Sequence, residues 1–126
     1  MRIMLVDNDR NQHEQFREIL RRIDPAHTCV KAFSTESAME ALLEPDDVLP
    51  DIIFLELEFK AGSGTQMLKA LKKTAALQEI PVCIYTGSLL ESDRKTTDEM
   101  GAIGYIVKDP NMTNVKTSIQ AVIAAS

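Results

Sequence analysis

Short runs of apolar residues alternate along the chain with longer segments in which apolar residues recur at helical spacing. The first long segment places Phe16, Ile19, Leu20 and Ile23 on one face of a helix. Strands that alternate with helices join into a parallel sheet, and the helices cover both of its faces. The pattern therefore predicts an α/β fold, a doubly wound sheet of five parallel strands with five helices. The predicted strands are Ile3–Val6, Thr28–Phe33, Ile52–Leu55, Pro81–Tyr85 and Tyr105–Val107.

Most of the helical segments have an apolar stripe and recognisable ends. Asp9 can cap the first helix, which stops at Asp24-Pro25, and Ser34 can cap the second, which stops at Pro45. The fourth segment, Leu89–Met100, is polar and is predicted to be helical mainly from its place in the alternation, with Gly101 as its C-terminal cap. The other stripes are Met39, Leu42 and Leu43; Met67, Leu68 and Leu71 after a turn at Gly62-Ser63-Gly64; and Val115, Ile119, Val122 and Ile123.

Length and charge restrict the class of protein. A chain of 126 residues suits a single domain spanning 1–126, and its net charge of −5 gives no basic surface for nucleic acid. No apolar stretch is long enough to cross a membrane, and Met1 is followed by a predicted strand instead of a signal peptide. Cys29 and Cys83 lie in apolar stretches without metal-like spacing, which favours buried reduced thiols. We therefore expect a cytoplasmic protein without nucleic-acid or membrane partners.

Polar residues follow four of the predicted strands. In an open parallel α/β sheet, ligand sites lie at the carboxyl ends of the strands, where these residues meet at one edge. Each has an ordinary explanation alone, such as a helix cap for Asp9 or a surface charge for Lys108. Their common location instead indicates a functional site. The residues are Asp7-Asn8-Asp9, Glu56 with Glu58, Thr86 and Lys108.

Four stretches in order give the chain a family resemblance. They are VDND, PDIIFLELEFKAGSG, IPVCIYTGS and GAIGYIVKDP, and they span nearly the whole chain. The chain resembles the receiver domains of bacterial response regulators, which have a flavodoxin-like (β/α)5 fold. In that family an aspartate after the third strand accepts a phosphoryl group from a histidine kinase, with Mg²⁺ neutralising the transferred charge.

The resemblance assigns roles to individual residues. Glu56 fills the position of the phosphoacceptor aspartate, and Asp7 with Asn8 fills that of the acidic pair. Glu58 would offer its backbone carbonyl, so that Asp7, Glu56 and Glu58 would form any Mg²⁺ site. The matches to the family's switch residues are Thr86, Tyr105 and Lys108.

Three departures from the family pattern alter the expected chemistry. Glu56 is longer than aspartate by one methylene, about 1.5 Å, which misplaces the attacking oxygen and brings the carboxylate within expected reach of Thr86 and Lys108. Asn8 removes a carboxylate, so Mg²⁺ should bind weakly or not at all, which leaves Asp7 and Glu56 to be neutralised by Lys108. Asp109 separates Lys108 from Pro110, so any cis bond would join Asp109 and Pro110.

These departures favour an atypical receiver, or pseudo-receiver, that is not an enzyme and acts through protein contacts. The family's output face consists of the fourth helix, fifth strand and fifth helix, where a histidine kinase, a downstream effector or a second copy of the chain would bind. One alternative is a phosphorylatable receiver with weak Mg²⁺ binding at Asp7. Another is a small Mg²⁺-dependent phosphohydrolase, since Asp7-Asn8-Asp9 resembles the DxD motif of haloacid-dehalogenase-type phosphatases. His13 and His27 are expected to be surface residues, and the strand-end acids can also serve solubility alone.

Overall fold

The computed structural model describes residues 1–59 and 63–126, with the side chain of residue 63 left out. Strands and helices alternate throughout, as the sequence predicts. The strands are β1 (Arg2–Val6), β2 (Thr28–Ala32), β3 (Ile52–Leu55), β4 (Val82–Thr86) and β5 (Gly104–Val107). The helices are α1 (Arg10–Ile23), α2 (Thr35–Leu43), α3 (Ser63–Lys73), α4 (Glu91–Glu99) and α5 (Met112–Ala125).

The five strands form one parallel sheet in the order β2-β1-β3-β4-β5. The predicted fold class is therefore confirmed. In the register of the sheet, Val6 lies opposite Leu55 and Thr86 opposite Val107. The residues that follow the strands consequently meet at one edge of the sheet.

Two hydrophobic layers cover the two faces of the sheet. Alternate residues of each central strand point to opposite faces, so Ile53 and Leu55 pack with α2 and α3, while Ile52 and Phe54 pack with α1 and α5. All four residues of β3 are fully buried. This explains why the sequence shows an unbroken apolar run at 52–55 in place of the alternation of a half-exposed strand.

The predicted ends of the elements hold in most places. Asp9 caps α1 by accepting a hydrogen bond from the backbone of Asn11, and Gly101 follows α4 with a positive φ of 98°. The fourth helix is shorter than predicted, because it begins at Glu91 instead of Leu89. The turn predicted at Gly62-Ser63-Gly64 starts outside the described residues.

Several side chains qualify the sequence predictions. Cys83 is buried as expected, whereas Cys29 is only partly buried, and both thiols are free.

The described peptide bonds include none in the cis form, so Asp109-Pro110 is trans. No helix in residues 1–59 and 63–126 combines the length and the hydropathy needed to cross a bilayer.

Candidate functional site

The carboxyl edge of the sheet gathers a small group of buried polar side chains. Asp7 follows β1, Glu56 follows β3 and Thr86 ends β4, and their exposed fractions are 1%, 4% and 0%. Each is held there because the strand before it is part of the core. Buried charged groups are costly unless they are paired, so their partners determine what this edge can do.

Lys108, which follows β5, pairs with both buried acids. Its Nζ atom lies 2.7 Å from Oδ2 of Asp7 and 2.7 Å from Oε1 of Glu56. Burial alone would lower the pKa of Lys108, but the hydrogen bonds and charges of Asp7 and Glu56 outweigh it and raise that pKa above its usual value. The ammonium is therefore firmly protonated, and the cluster of these three residues carries two negative charges against one positive charge.

The remaining carboxylate oxygens of this cluster bind backbone amides. Oδ1 of Asp7 accepts from the Asp9 amide at 2.9 Å. Oε2 of Glu56 accepts from the Leu57 amide at 2.7 Å and from the Glu58 amide at 3.2 Å. All four carboxylate oxygens of Asp7 and Glu56 thus already have N–H donors.

The contacts of Asp7 and Glu56 would compete with a bound Mg²⁺. A hard dication prefers carboxylate oxygens, and Lys108 already pairs with one oxygen of each acid. In the part of the chain that the structure describes, no group of three or more His, Cys, Asp or Glu side chains is arranged to hold a metal ion. Asn8 is exposed and makes no hydrogen bond to the acids among the described residues.

The side chain of Glu58 lies against Thr86. Thr86 Oγ1 donates to Oε1 of Glu58 at 3.4 Å, a long hydrogen bond. Gly87 leaves room for this carboxylate, because a Cβ at that position would lie 2.8 Å from the same oxygen. Glu56 reaches Lys108, as expected, and among the described residues the hydroxyl of Thr86 donates to Glu58 and not to Glu56. The sequence placed Glu58 among the acids at the strand ends, and the family resemblance assigned a role only to its backbone carbonyl.

The side chain of Tyr105, on β5, makes two contacts, one through its hydroxyl and one through the face of its ring. Its hydroxyl donates to the backbone oxygen of Ser88 at 3.0 Å, and the guanidinium of Arg94 lies 4.9 Å from its ring centroid. The hydroxyl of Ser88 donates in turn to Asp93 at 2.5 Å. The segment that follows Thr86 is therefore linked to both β5 and α4.

Asp109 and His13, which lie near the site, have surroundings that the sequence did not specify. Asp109 does not join the cluster, because its carboxylate accepts from the Asn111 amide and from the Asn114 side chain, which lowers its pKa. The prediction that His13 is a surface residue is wrong, because its side chain is fully buried. Its Nε2 atom lies 2.7 Å from the backbone oxygen of Asp7, and its ring packs on Phe33. His27 is only partly buried.

Helical periodicity could have placed His13 correctly. It precedes the buried residues Phe16 and Leu20 by three and seven positions, which puts it on the same face of α1. Its polar side chain is accommodated because the Asp7 carbonyl supplies a partner for one ring nitrogen. The contact with His13 thus helps to fix the backbone of Asp7.

The sequence matches a known family and its curated members. The family model "Response regulator receiver domain" matches residues 3–120. The phosphate regulon transcriptional regulatory protein PhoB of Klebsiella pneumoniae is 37% identical over 94 residues, which are 75% of this chain and 40% of that protein. The transcriptional regulatory protein CpxR of Escherichia coli is 30% identical over 125 residues, 99% of this chain and 50% of that protein.

Solved structures agree with the fold. The response regulator receiver domain from Rhodospirillum rubrum superposes with a TM-score of 0.86 at 18% identity, over 100% of this chain and 95% of that one. The Mn²⁺-bound form of response regulator Rcp1 gives a TM-score of 0.85 at 23% identity, over 98% and 91%. At these identities the likeness supports the fold alone.

The chain spans half or less of the length of the curated relatives described above. The sequence match over residues 3–120, the order of the strands and the convergence of Asp7, Glu56, Thr86 and Lys108 at one edge agree with one another. On this evidence the chain belongs to the response regulator receiver domain family.

Proposed function

We propose that this receiver acts through protein contacts and that its pocket is occupied by its own carboxylates instead of by a phosphoryl group. In this proposal the chain has no catalytic turnover and depends on neither Mg²⁺ nor transfer of phosphate to residue 56. The observation that carries the proposal is the bridge from Lys108 to Asp7 and Glu56, with both Nζ–oxygen distances at 2.7 Å.

The bridge disfavours attack by Glu56 on a phosphoryl donor. Oε1 is bound to an ammonium and Oε2 to two backbone amides, and these donors stabilise the negative charge of the carboxylate and so lower its nucleophilicity. The extra methylene displaces the carboxylate by about 1.5 Å from an aspartate's position, and misplacement of about 1 Å can cost a hundredfold in rate. An incoming phosphoryl group would also meet the net negative charge of the cluster without a dication to neutralise it.

Glu58 supports the proposal from the other side of the pocket. Its carboxylate accepts a hydrogen bond from the hydroxyl of Thr86, which the family resemblance matches to a switch residue. Glu56 thus pairs with the ammonium of Lys108, and Glu58 accepts a hydrogen bond from the hydroxyl of Thr86. In this proposal the two carboxylates take the place that an added anion would have.

The arrangement favours one conformation of the segment that follows Thr86. Tyr105 holds the Ser88 carbonyl from β5, and Asp93 holds the Ser88 hydroxyl from α4. We therefore propose that α4, β5 and α5 present a constant surface to a histidine kinase, a downstream effector or a second copy of the chain. A groove of about 380 Å³ between α4 and β5, with Arg94 and Tyr105 in its lining, lies on this face.

Intact-mass spectrometry after incubation with acetyl phosphate and Mg²⁺ tests the proposal. The wild-type chain should acquire no phosphoryl adduct. The double variant Asn8→Asp with Glu56→Asp restores the acidic pair and the shorter acceptor, and it should acquire one.

A stable adduct on the wild-type chain that disappears in Glu56→Ala would overturn the proposal in favour of a phosphorylatable receiver. Failure of the double variant to gain an adduct would contradict our assignment of the defect to residues 8 and 56. Circular dichroism of each variant controls for loss of the fold.

A further inference from the structure

A second surface lies at the opposite end of the sheet, where α2 leads into β3. We call it the α2–β3 surface and define it as residues 43–51. Leu43, Val48 and Leu49 are 55%, 71% and 38% exposed there. Single exposed apolar residues are ordinary, but Leu43 and Leu49 line one groove of this surface and Val48 lines a neighbouring one. We call these three residues the apolar patch.

The patch borders a cavity of about 240 Å³. Its walls combine apolar side chains, among them Leu42, Leu49 and Leu77, with the ionisable residues Glu44 and Asp47. The volume is below the roughly 300–1,000 Å³ of a typical small-molecule pocket. It suits apolar side chains inserted from a docked protein segment.

The segment that borders the cavity carries charge of one sign, although Arg2 lines the neighbouring groove together with Asp47 and Val48. Residues 40–51 contain five acids and no Lys or Arg, namely Glu40, Glu44, Asp46, Asp47 and Asp51. All five are exposed, and none forms an ion pair with another residue in 1–59 or 63–126. The chain as a whole carries a net charge of −5, so this short segment holds a concentrated share of its negative charge.

We propose that the α2–β3 surface docks a basic protein segment that carries large apolar side chains. Its apolar side chains would enter the cavity between Leu42 and Leu77, while its Lys or Arg side chains would face the acids at the rim. Charge complementarity favours this occupant, since anionic lipid and nucleic acid would both be repelled. The proposal does not rest on the chemistry of residue 56, which lies at the other edge of the sheet.

NMR titration of the ¹⁵N-labelled chain provides the test, with a short synthetic peptide in which Leu recurs at helical spacing among Lys residues. We expect shift changes concentrated in residues 41–51 and 76–77, weakening as salt is added. Two peptides serve as controls, one with Ser in place of Leu and one with Glu in place of Lys. Neither should produce these changes.

Matched variants identify the surface. Leu43→Ser with Val48→Ser, and separately Glu44→Gln with Asp47→Asn, should each weaken peptide binding by at least about tenfold. The substituted side chains are exposed, so the fold should be retained. Leu89→Ser with Glu91→Gln changes an exposed leucine and a nearby acid at the other edge of the sheet, and its affinity should equal that of the wild type.

Several results would overturn the proposal. They are unchanged affinity in both surface variants, shift changes centred on α4 and β5, and equal binding of the Glu-containing peptide. Concentration-dependent shifts of residues 43–51 without peptide would assign the surface to a second copy of the chain. Peptide-independent binding of these residues to phosphatidylcholine vesicles would assign it to a lipid surface.

Discussion

The ammonium of Lys108 lies 2.7 Å from Oε1 of Glu56, a contact that reaches from the end of β5 past β4 to the end of β3. Both ends of the contact are largely shielded, since the two side chains are 18% and 6% exposed. The contact therefore ties strands that are not neighbours.

Replacing Lys108 by methionine should destabilise the chain strongly. Asp7 and Glu56 would then be two neighbouring buried carboxylates without a cation, and removal of one partner of a buried pair costs about 3 kcal/mol or more. Urea unfolding at pH 7 measures the loss.

The double variant Lys108→Met with Glu56→Gln is the control for this prediction. It removes one of the two buried charges together with the lysine, so it should recover about 1 kcal/mol or more relative to Lys108→Met. If the double variant were less stable than Lys108→Met by the full effect of Glu56→Gln alone, the two residues would not be coupled.

Replacing Tyr105 by phenylalanine should lower the free energy of unfolding by about 1 kcal/mol, because the Ser88 carbonyl loses its donor. Tyr85→Phe is the matched control, since the Tyr85 hydroxyl has no hydrogen-bond partner in the described part of the chain. Urea unfolding of both variants measures the difference. Equal losses would show that the bond from Tyr105 to Ser88 does not stabilise the fold.

Stability should fall as the pH rises above about 9. Burial raises the pKa of the Cys83 thiol from 9.0 to about 12, and burial also raises the pKa values of Tyr85 and Tyr105. These groups keep their protons in the folded chain at a pH where the unfolded chain has lost them, so rising pH favours unfolding. Lys108, with its raised pKa, acts in the same direction.

Urea unfolding between pH 8 and pH 11 measures this decline, with Cys83→Ala as the control for the thiol. The variant lacks the buried thiol, so its stability should fall less steeply than that of the wild type as the pH rises from 9. Identical slopes in the two chains would contradict the raised pKa of Cys83.

Replacing Gly64 by alanine should destabilise the chain, although the same change in a helix is usually favourable. A Cβ there would lie 2.5 Å from the backbone oxygen of Glu56 and 2.8 Å from Cα of Leu57, and neither backbone atom can move freely. We expect a loss of about 2 kcal/mol and shifted amide resonances at residues 56–57. Lys69→Ala, an exposed change in α3, should alter stability by less than about 0.5 kcal/mol.

The fold follows from the sequence because its signals are local and repeated. The apolar run at 52–55 and the stripe at Phe16, Ile19 and Leu20 each indicate one element, and alternation then leaves a parallel sheet. The start of α4 was missed because the segment at Leu89–Met100 is polar and lacks a stripe. Leu90 and Glu91 therefore give no periodic signal for where the helix begins.

The site was only partly predictable for a different reason. Convergence of Asp7, Glu56, Thr86 and Lys108 follows from strand ends alone. The pairing of Glu58 with Thr86 depends on a side-chain conformation that the absent Cβ of Gly87 permits, and no local pattern encodes it. A histidine is usually exposed, which suggested that His13 lies at the surface. Its position on the apolar face of α1 indicated the interior, and the side chain is in fact buried.

The strand β3 separates two surfaces of different chemistry. It is four residues long, about 13 Å, with Glu56 directly after it and the acidic, apolar loop at 43–51 directly before it. Under the two proposals above, the face of α4, β5 and α5 and the α2–β3 surface would each bind one protein, so the chain would link two partners.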